Sequence, residues 1–184
     1  MQVVETAIPA VRLITPKKFG DHRGFFSETY NRKKLVDAGI DVAFVQDNHS
    51  LSAAKGTIRG LHYQIPPMAQ DKLVRVVRGS LLDVAVDVRR TSPTFGRWVS
   101  AVISAKAWNQ ILVPAGFAHG FVTLEPDTEV IYKVTDYWSP DHERGIRWDD
   151  RALGIDWGVN AEEAVLSDKD ASWPTLADQP DLFA

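Results

Sequence analysis

Through the middle of the chain, apolar and polar positions alternate, or a few apolar residues run together, and each short piece ends at Gly, Pro, Asn or Asp. A period of two punctuated by turn formers predicts strands joined by tight turns. The pieces fall at residues 11–14, 25–30, 73–77, 81–88, 98–103, 109–113, 120–124 and 129–135. Arg78-Gly79-Ser80 lies between two of them and reads as a hairpin turn. One short helix interrupts the rhythm, with Asn31 placed to cap it, RKKLVDA to fill it and Gly39 to end it. Eight or so short antiparallel strands in 184 residues predict an all-β fold, a jelly-roll barrel or small sandwich closed around a central cavity, with short peripheral helices. Beyond Asp136 the pattern changes, and Pro140, Gly145, Gly154, Gly158 and Pro174 punctuate a stretch with few periodic positions. From about residue 137 the chain is therefore expected to wrap the barrel, leaving residues 1–184 as one domain.

A chain of 184 residues is long enough to bury a real core without disulfides, and it has no cysteine to make them. The lack of cysteine removes thiol nucleophiles and zinc knuckles and fits a reducing cytoplasm. The first residues show neither a basic start followed by an apolar run nor a small-residue cleavage site, and no apolar stretch is long enough to span a bilayer. The expectation is a cytoplasmic chain with no membrane partner. A net charge of -3 argues against a nucleic-acid partner, which needs a strongly basic face. A few placed Arg and Lys side chains still suffice for a small anionic ligand such as a diphosphate.

Two stretches resemble the paired motifs of the cupins, jelly-roll proteins whose enzymes often hold a metal with three histidines and a glutamate. Pro114-Ala115-Gly116-Phe117-Ala118-His119 fits P-x-G-x-x-H, with Thr123 where the pattern usually has Asn. The other stretch places Gly56 six residues before His62, but the second histidine of H-x-H is Gln64. Counting back from Gly79 by the motif's spacing lands on Lys72 where the glutamate belongs. An ammonium offers no lone pair to a metal and repels a divalent cation at short range, so neither a metal nor another cofactor is expected. A cavity holding His62, Lys72 and His119 suits acid-base work on a ligand that gains negative charge. Taken singly, each histidine reads more readily as a satisfied structural residue, and placement in a cavity reverses that preference.

Over nearly its whole length the sequence resembles the dTDP-4-dehydrorhamnose 3,5-epimerase family. The motifs are FGDHRGFFSETY at 19–30, VQDNHS at 45–50, GTIRGLHYQIPPMAQDKLVRVVRG at 56–79, VPAGFAHGF at 113–121, IYKVTDYWSPDHERGIRWDD at 131–150 and LSDKD at 166–170. The resemblance implies inversion at C3 and C5 of dTDP-4-dehydro-6-deoxy-glucose, the two carbons beside its ketone. It implies His62 as general base, Asp170 as the carboxylate that orients it, Lys72 facing the C4 oxygen and Tyr132 as the acid on the opposite face. Asp168, beside Asp170, remains an alternative for the carboxylate, which on its own would read as a turn or cap residue. Tyr132 alternates with Val130 and Val134, which puts it on an apolar strand face whatever its role.

For the nucleotide, the resemblance implies Arg23, Arg59 and Lys169 at the diphosphate, with His119 adding a hydrogen bond. Glu28, Gln46, Asn48 and Glu143 fall on the ribose and base side, with Phe26 and Trp138 as flat apolar surfaces. Trp138 stands where the family often has a tyrosine that stacks on thymine. His22, His49 and His142 receive no role. The family also implies a homodimer with exchanged N-terminal strands, the segment around Arg23 to Glu28 completing the partner's site. The competing readings are a single-centre epimerase on the same barrel, a sugar-nucleotide binder without catalysis, and a metal-dependent oxygenase.

Overall fold

The computed structural model describes residues 1–184. The strands are β1 (Gln2–Glu5), β2 (Arg12–Thr15), β3 (Lys18–Asp21), β4 (Gly24–Ser27), β5 (Gln46–Ser52), β6 (Ile58–Gln64), β7 (Lys72–Arg78), β8 (Ser80–Asp87), β9 (Trp98–Ser104), β10 (Gln110–Val113), β11 (Phe117–Thr123), β12 (Thr128–Val134) and β13 (Glu143–Gly145). Two short helices accompany them, α1 (Arg32–Asp37) and α2 (Asp168–Ala171). The helix α1 is capped as its sequence predicts: the Lys34 N–H donates to Asn31 Oδ1 at 3.1 Å, and Gly39 follows with φ +81°. No helix is long and apolar enough to cross a membrane.

Two antiparallel sheets are built from these strands, one ordered β1-β2-β10-β7-β12-β5 and the other β13-β6-β11-β8-β9, with β3 and β4 forming a separate hairpin. The chain crosses repeatedly from one sheet to the other, and this corrects the expected hairpin at Arg78-Gly79-Ser80. β7 and β8 belong to different sheets, so the turn is a corner between them. Gly79 adopts φ +77°, and a Cβ there would lie 2.5 Å from Thr128 Oγ1, so both conformation and space demand glycine.

Three apolar clusters explain why some strands read as continuous apolar runs. Val74, Val76, Leu81, Ala85, Ile111, Phe117, Phe121 and Val130 pack between the sheets. Val84, Val86, Ala118 and Val122, on the opposite faces of β8 and β11, pack with Ile146, Leu153 and Trp157 from the segment that follows β12. Leu73, Leu112 and Ile14, on the back of the other sheet, lie under Leu35 of α1 and Ile40. Because the five-stranded sheet is covered on both sides, its central strands β8 and β11 have almost no solvent face, and the period of two gives way to an unbroken run.

Polar groups inside this envelope are held by dense bonding. Asp87, at the end of β8, is fully buried and accepts from Arg89 Nη2 at 2.7 Å and from the hydroxyls of Ser92 and Thr94, each at 2.6 Å. Burial acts to raise its pKa, but these donors outweigh that and hold it at about 2. A carboxylate whose pKa falls on folding contributes stability that is complete above about pH 4 and is lost as pH falls through about 2. Asp87→Asn is expected to cost about 2 kcal/mol at pH 7 and to flatten the acid limb of stability between pH 4 and 2, read by urea denaturation across that range.

Candidate active site

A cavity of about 280 Å³ opens between the sheets, lined by residues of β5, β6, β7, β11 and β12 and by the chain after β12. The strand β6 brings its residues there by breaking its own period. β11 pairs His119 with His62 but Phe121 with Arg59, so β6 spends one extra residue between the two pairs. This bulge turns Arg59 and His62 to the same face, which strict alternation would forbid. It also requires Gly60, because a Cβ there would lie 2.5 Å from the Gly120 Cα.

His62 Nε2 lies 2.5 Å from Asp170 Oδ1, which leaves Nδ1 as the ring nitrogen free to exchange a proton. Asp170 is 5% exposed, and its second oxygen accepts from the Ser167 hydroxyl at 2.9 Å. Burial acts to raise the Asp170 pKa, but its bonds to His62 and Ser167 leave it lowered, so it stays ionised. Ser167 also caps α2, accepting from the Asp170 N–H at 3.1 Å, so the helix start fixes the carboxylate. Asp168 is exposed and takes no part. Behind the ring, Trp173 packs edge to face with His62 at 6.1 Å.

Lys72 lies at the start of β7, its Nζ donating to the His62 carbonyl at 3.4 Å. Burial pulls its pKa down to about 8, a shift moderated by Glu143 and Asp83. Across the cavity floor, both oxygens of the fully buried Asp83 lie 2.9 Å from His119 Nε2. Burial raises the Asp83 pKa against the opposing pull of His119 and Lys72. Tyr132 projects from β12, its pKa raised chiefly by burial and moderated by Arg59.

The mouth is polar. Gln46, Asn48 and Ser50 present the inward face of edge strand β5, and Gln46 Nε2 donates to Asn48 Oδ1 at 2.8 Å. The Trp138 backbone N–H donates to Gln46 Oε1 at 3.2 Å, and its indole N–H reaches Glu143 Oε2 at 3.4 Å. Arg59 is braced by Ser52 Oγ at 3.1 Å and the Leu51 carbonyl at 3.2 Å. No three His, Cys, Asp or Glu side chains are grouped so as to hold a metal ion.

Of the residues singled out from sequence, His62, Lys72, Tyr132, Asp170, Gln46, Asn48, Arg59, His119, Trp138 and Glu143 line this one cavity. Lys169 stands just outside, bonded to Glu143 Oε2 at 2.6 Å. Arg23, Phe26 and Glu28 do not reach it. They belong to the β3–β4 hairpin and the residue after it, where Arg23 pairs with Asp21 at 2.6 Å, Glu28 pairs with Lys34 and Phe26 is 66% exposed. Sequence reading missed Ser50, Tyr63, Gln70, Val74 and Phe121 in the lining and Asp83 beneath it, and took Gln64, also in the lining, only as a lost metal ligand. Asp83 carried a usable signal, since a carboxylate inside the apolar run LLDVAVDV needs a buried partner.

Over residues 5–178 the chain matches the family described as dTDP-4-dehydrorhamnose 3,5-epimerase. The protein of that name from Sinorhizobium fredii is 55% identical over 177 residues, spanning 96% of this chain and 90% of the relative. The solved structure of the Bacillus anthracis dTDP-4-dehydrorhamnose 3,5-epimerase, with TDP and PPi bound, matches with a TM-score of 0.91 at 50% identity, covering 95% of this chain and 98% of the other. That of the Legionella pneumophila dTDP-6-deoxy-D-glucose-3,5-epimerase, in complex with dTDP-4-keto-L-rhamnose, gives 0.91 at 44% identity, covering 96% and 93%. Two facing sheets around an acid-base cavity, together with these likenesses, define a jelly roll of the cupin type and of the epimerase class. Within that class the chain belongs to the dTDP-4-dehydrorhamnose 3,5-epimerase family.

Proposed function

We propose that this chain epimerises dTDP-4-dehydro-6-deoxy-glucose at C3 and C5 to give dTDP-4-dehydro-rhamnose, a step of dTDP-rhamnose synthesis. The observation that carries the reading is the placement of a base and an acid on opposite sheets, His62 on β6 and Tyr132 on β12, with Lys72 lining the same cavity. A sugar held between the sheets has one group on each face of its ring, which is what inversion requires.

His62 Nδ1 removes the proton from a carbon beside the C4 ketone, and the charge it gains is stabilised by Asp170 through Nε2. The electrons move into the carbonyl, and the Lys72 ammonium balances the resulting enolate oxygen. Tyr132 then donates its phenolic proton to the carbon from the other side. Water restores the tyrosine and takes the proton from His62 before the second carbon reacts. Lys72 stands where a metal-binding cupin has its glutamate, so the positive charge that stabilises the enolate comes from the chain itself. Arg59 serves the diphosphate, and Gln46, Asn48, Trp138 and Glu143 the nucleoside end. Lys169 acts on the ligand by way of Glu143. The buried pairing of His119 with Asp83 makes it part of the cavity floor beside the diphosphate.

Arg23, Phe26 and Glu28 fit a homodimer in which the β3–β4 hairpin of one copy closes the cavity of the other. The support is that the hairpin pairs with neither sheet, exposes Phe19, Phe25 and Phe26, and leaves β5 an unpaired edge beside the cavity. The absence of cysteine fits residence in the cytoplasm.

Turnover of the keto sugar in heavy water, followed by NMR, is expected to place deuterium at both C3 and C5. Label at one carbon only would reduce the activity to a single-centre epimerase. In the same assay Tyr132→Phe should lower epimerisation by about 100-fold or more while washing label into the substrate far less impaired. Equal loss of both would remove Tyr132 from the acid role.

Lys72 is charged below about pH 8 and neutral above it, so kcat/KM should fall as pH rises through about 8. In Lys72→Arg that alkaline limb should move above pH 10, since a guanidinium stays protonated there. A limb left in place would show that another group controls it.

Mixing two variants tests the shared site. His62→Ala and Arg23→Ala dimers, each impaired alone, should recover roughly a quarter of native activity after exchange of subunits, because half the dimers are mixed and each mixed dimer has one intact site. Monomeric mass with full activity would rule the dimer out.

A further inference from the structure

We infer that Gln64 is a positioning residue for the nucleotide, holding the loop that carries Trp138 and Glu143 at the cavity mouth. The inference rests on the epimerase reading above and deepens it by naming what sets the grip on the ligand.

Gln64 ends β6 and is 4% exposed. Its Nε2 donates to the Met68 carbonyl at 2.6 Å and to the Tyr137 carbonyl at 3.1 Å, while its Oε1 accepts from the Ser139 N–H at 2.8 Å. Two carbonyls can only accept and an N–H can only donate, so the amide has one workable orientation and both of its N–H groups are used. A side chain so engaged at the cavity wall acts on the ligand through what it holds.

It holds the peptides on either side of Trp138. The chain between β12 and the turn at Pro140–His142 has no strand partner, and Trp138 is 58% exposed. Such a segment samples many conformations unless side chains fix it, and ordering it only on binding would weaken affinity. Three side chains supply that order: Gln64 at Tyr137 and Ser139, Gln46 at the Trp138 N–H, and Gln70 Nε2 at the Asp136 carbonyl, 2.8 Å away. The turn is tied back as well, the Ile65 N–H donating to the His142 carbonyl at 3.0 Å. Gln64 is the member that bonds both flanking peptides and also the loop after β6, through Met68. It touches none of His62, Asp170, Lys72 or Tyr132 through its amide, so its effect should fall on binding and spare the chemistry.

The test is Gln64→Glu, which keeps the acceptor for Ser139 but turns a carboxylate toward the two carbonyl oxygens. The dissociation constant for dTDP, by calorimetry, and KM for the keto sugar should each rise about tenfold, with kcat within about threefold of native. Gln64→Met, which loses all three bonds, should do the same or more. A purely structural role would instead lower the melting temperature and kcat together and leave KM in place, and that result would overturn the inference. So would dTDP binding unchanged in both variants. If the native protein itself bound no dTDP, the epimerase reading would fail independently of Gln64. Should neither variant fold, hydrogen exchange in the native protein decides. A Ser139 amide as protected as those of β6 supports the clamp, and one exchanging like unstructured peptide refutes it.

Discussion

Keeping a lysine charged while partly out of water is the constraint around which this site is organised. An ammonium withdrawn from solvent is tolerated only where opposite charge and hydrogen bonds replace the lost hydration. Lys72 has Asp83 and Glu143 as its compensating charges and the His62 carbonyl as its acceptor. Those carboxylates are balanced in turn, Asp83 by His119 and Glu143 by Lys169. Asp170 is anchored separately by Ser167 and His62. No buried charge around the cavity stands alone, and the partners are spread over β6, β7, β8, β11, β13 and α2, so the network also ties the two sheets to each other.

Where the burial pattern was simple, the sequence announced the structure. The capped helix from Arg32 to Asp37, the inward Tyr132 between Val130 and Val134 and the strands from Lys72 to Asp87 follow from capping chemistry and period alone. The failures have physical causes. β6 was unseen because its bulge breaks the alternation that reveals a strand, and the same bulge is what aligns Arg59 with His62. β5 was unseen because its inward face is polar, being cavity wall, so QDNHSLS has no apolar side to read. Gly79 announced a turn correctly, but a turn residue carries no information about whether the strands it joins pair or part.

The site was legible in a different way. Asp170 could not have been chosen over Asp168 by composition or period, and only the resemblance of LSDKD singled it out. The local reason is the cap: Ser167 begins a helix, the third residue after it turns inward, and Asp168 is left facing water. Arg23, Phe26 and Glu28 show the limit of this kind of reading. A motif singles out residues without saying where the fold carries them, and these three stand on a hairpin away from the cavity.

The covering of the five-stranded sheet has a consequence in time as well as space. His62 and Asp170 are 108 residues apart in sequence, and the carboxylate arrives with the same segment whose Leu153 and Trp157 close the back of β8 and β11. During synthesis the strands exist before that segment does, and until it docks, a wide apolar surface remains open while the histidine lacks its partner. Completion of the hydrophobic cover and pairing of His62 with Asp170 are thus one event, so a partly made chain is exposed to misassociation before its cavity is complete.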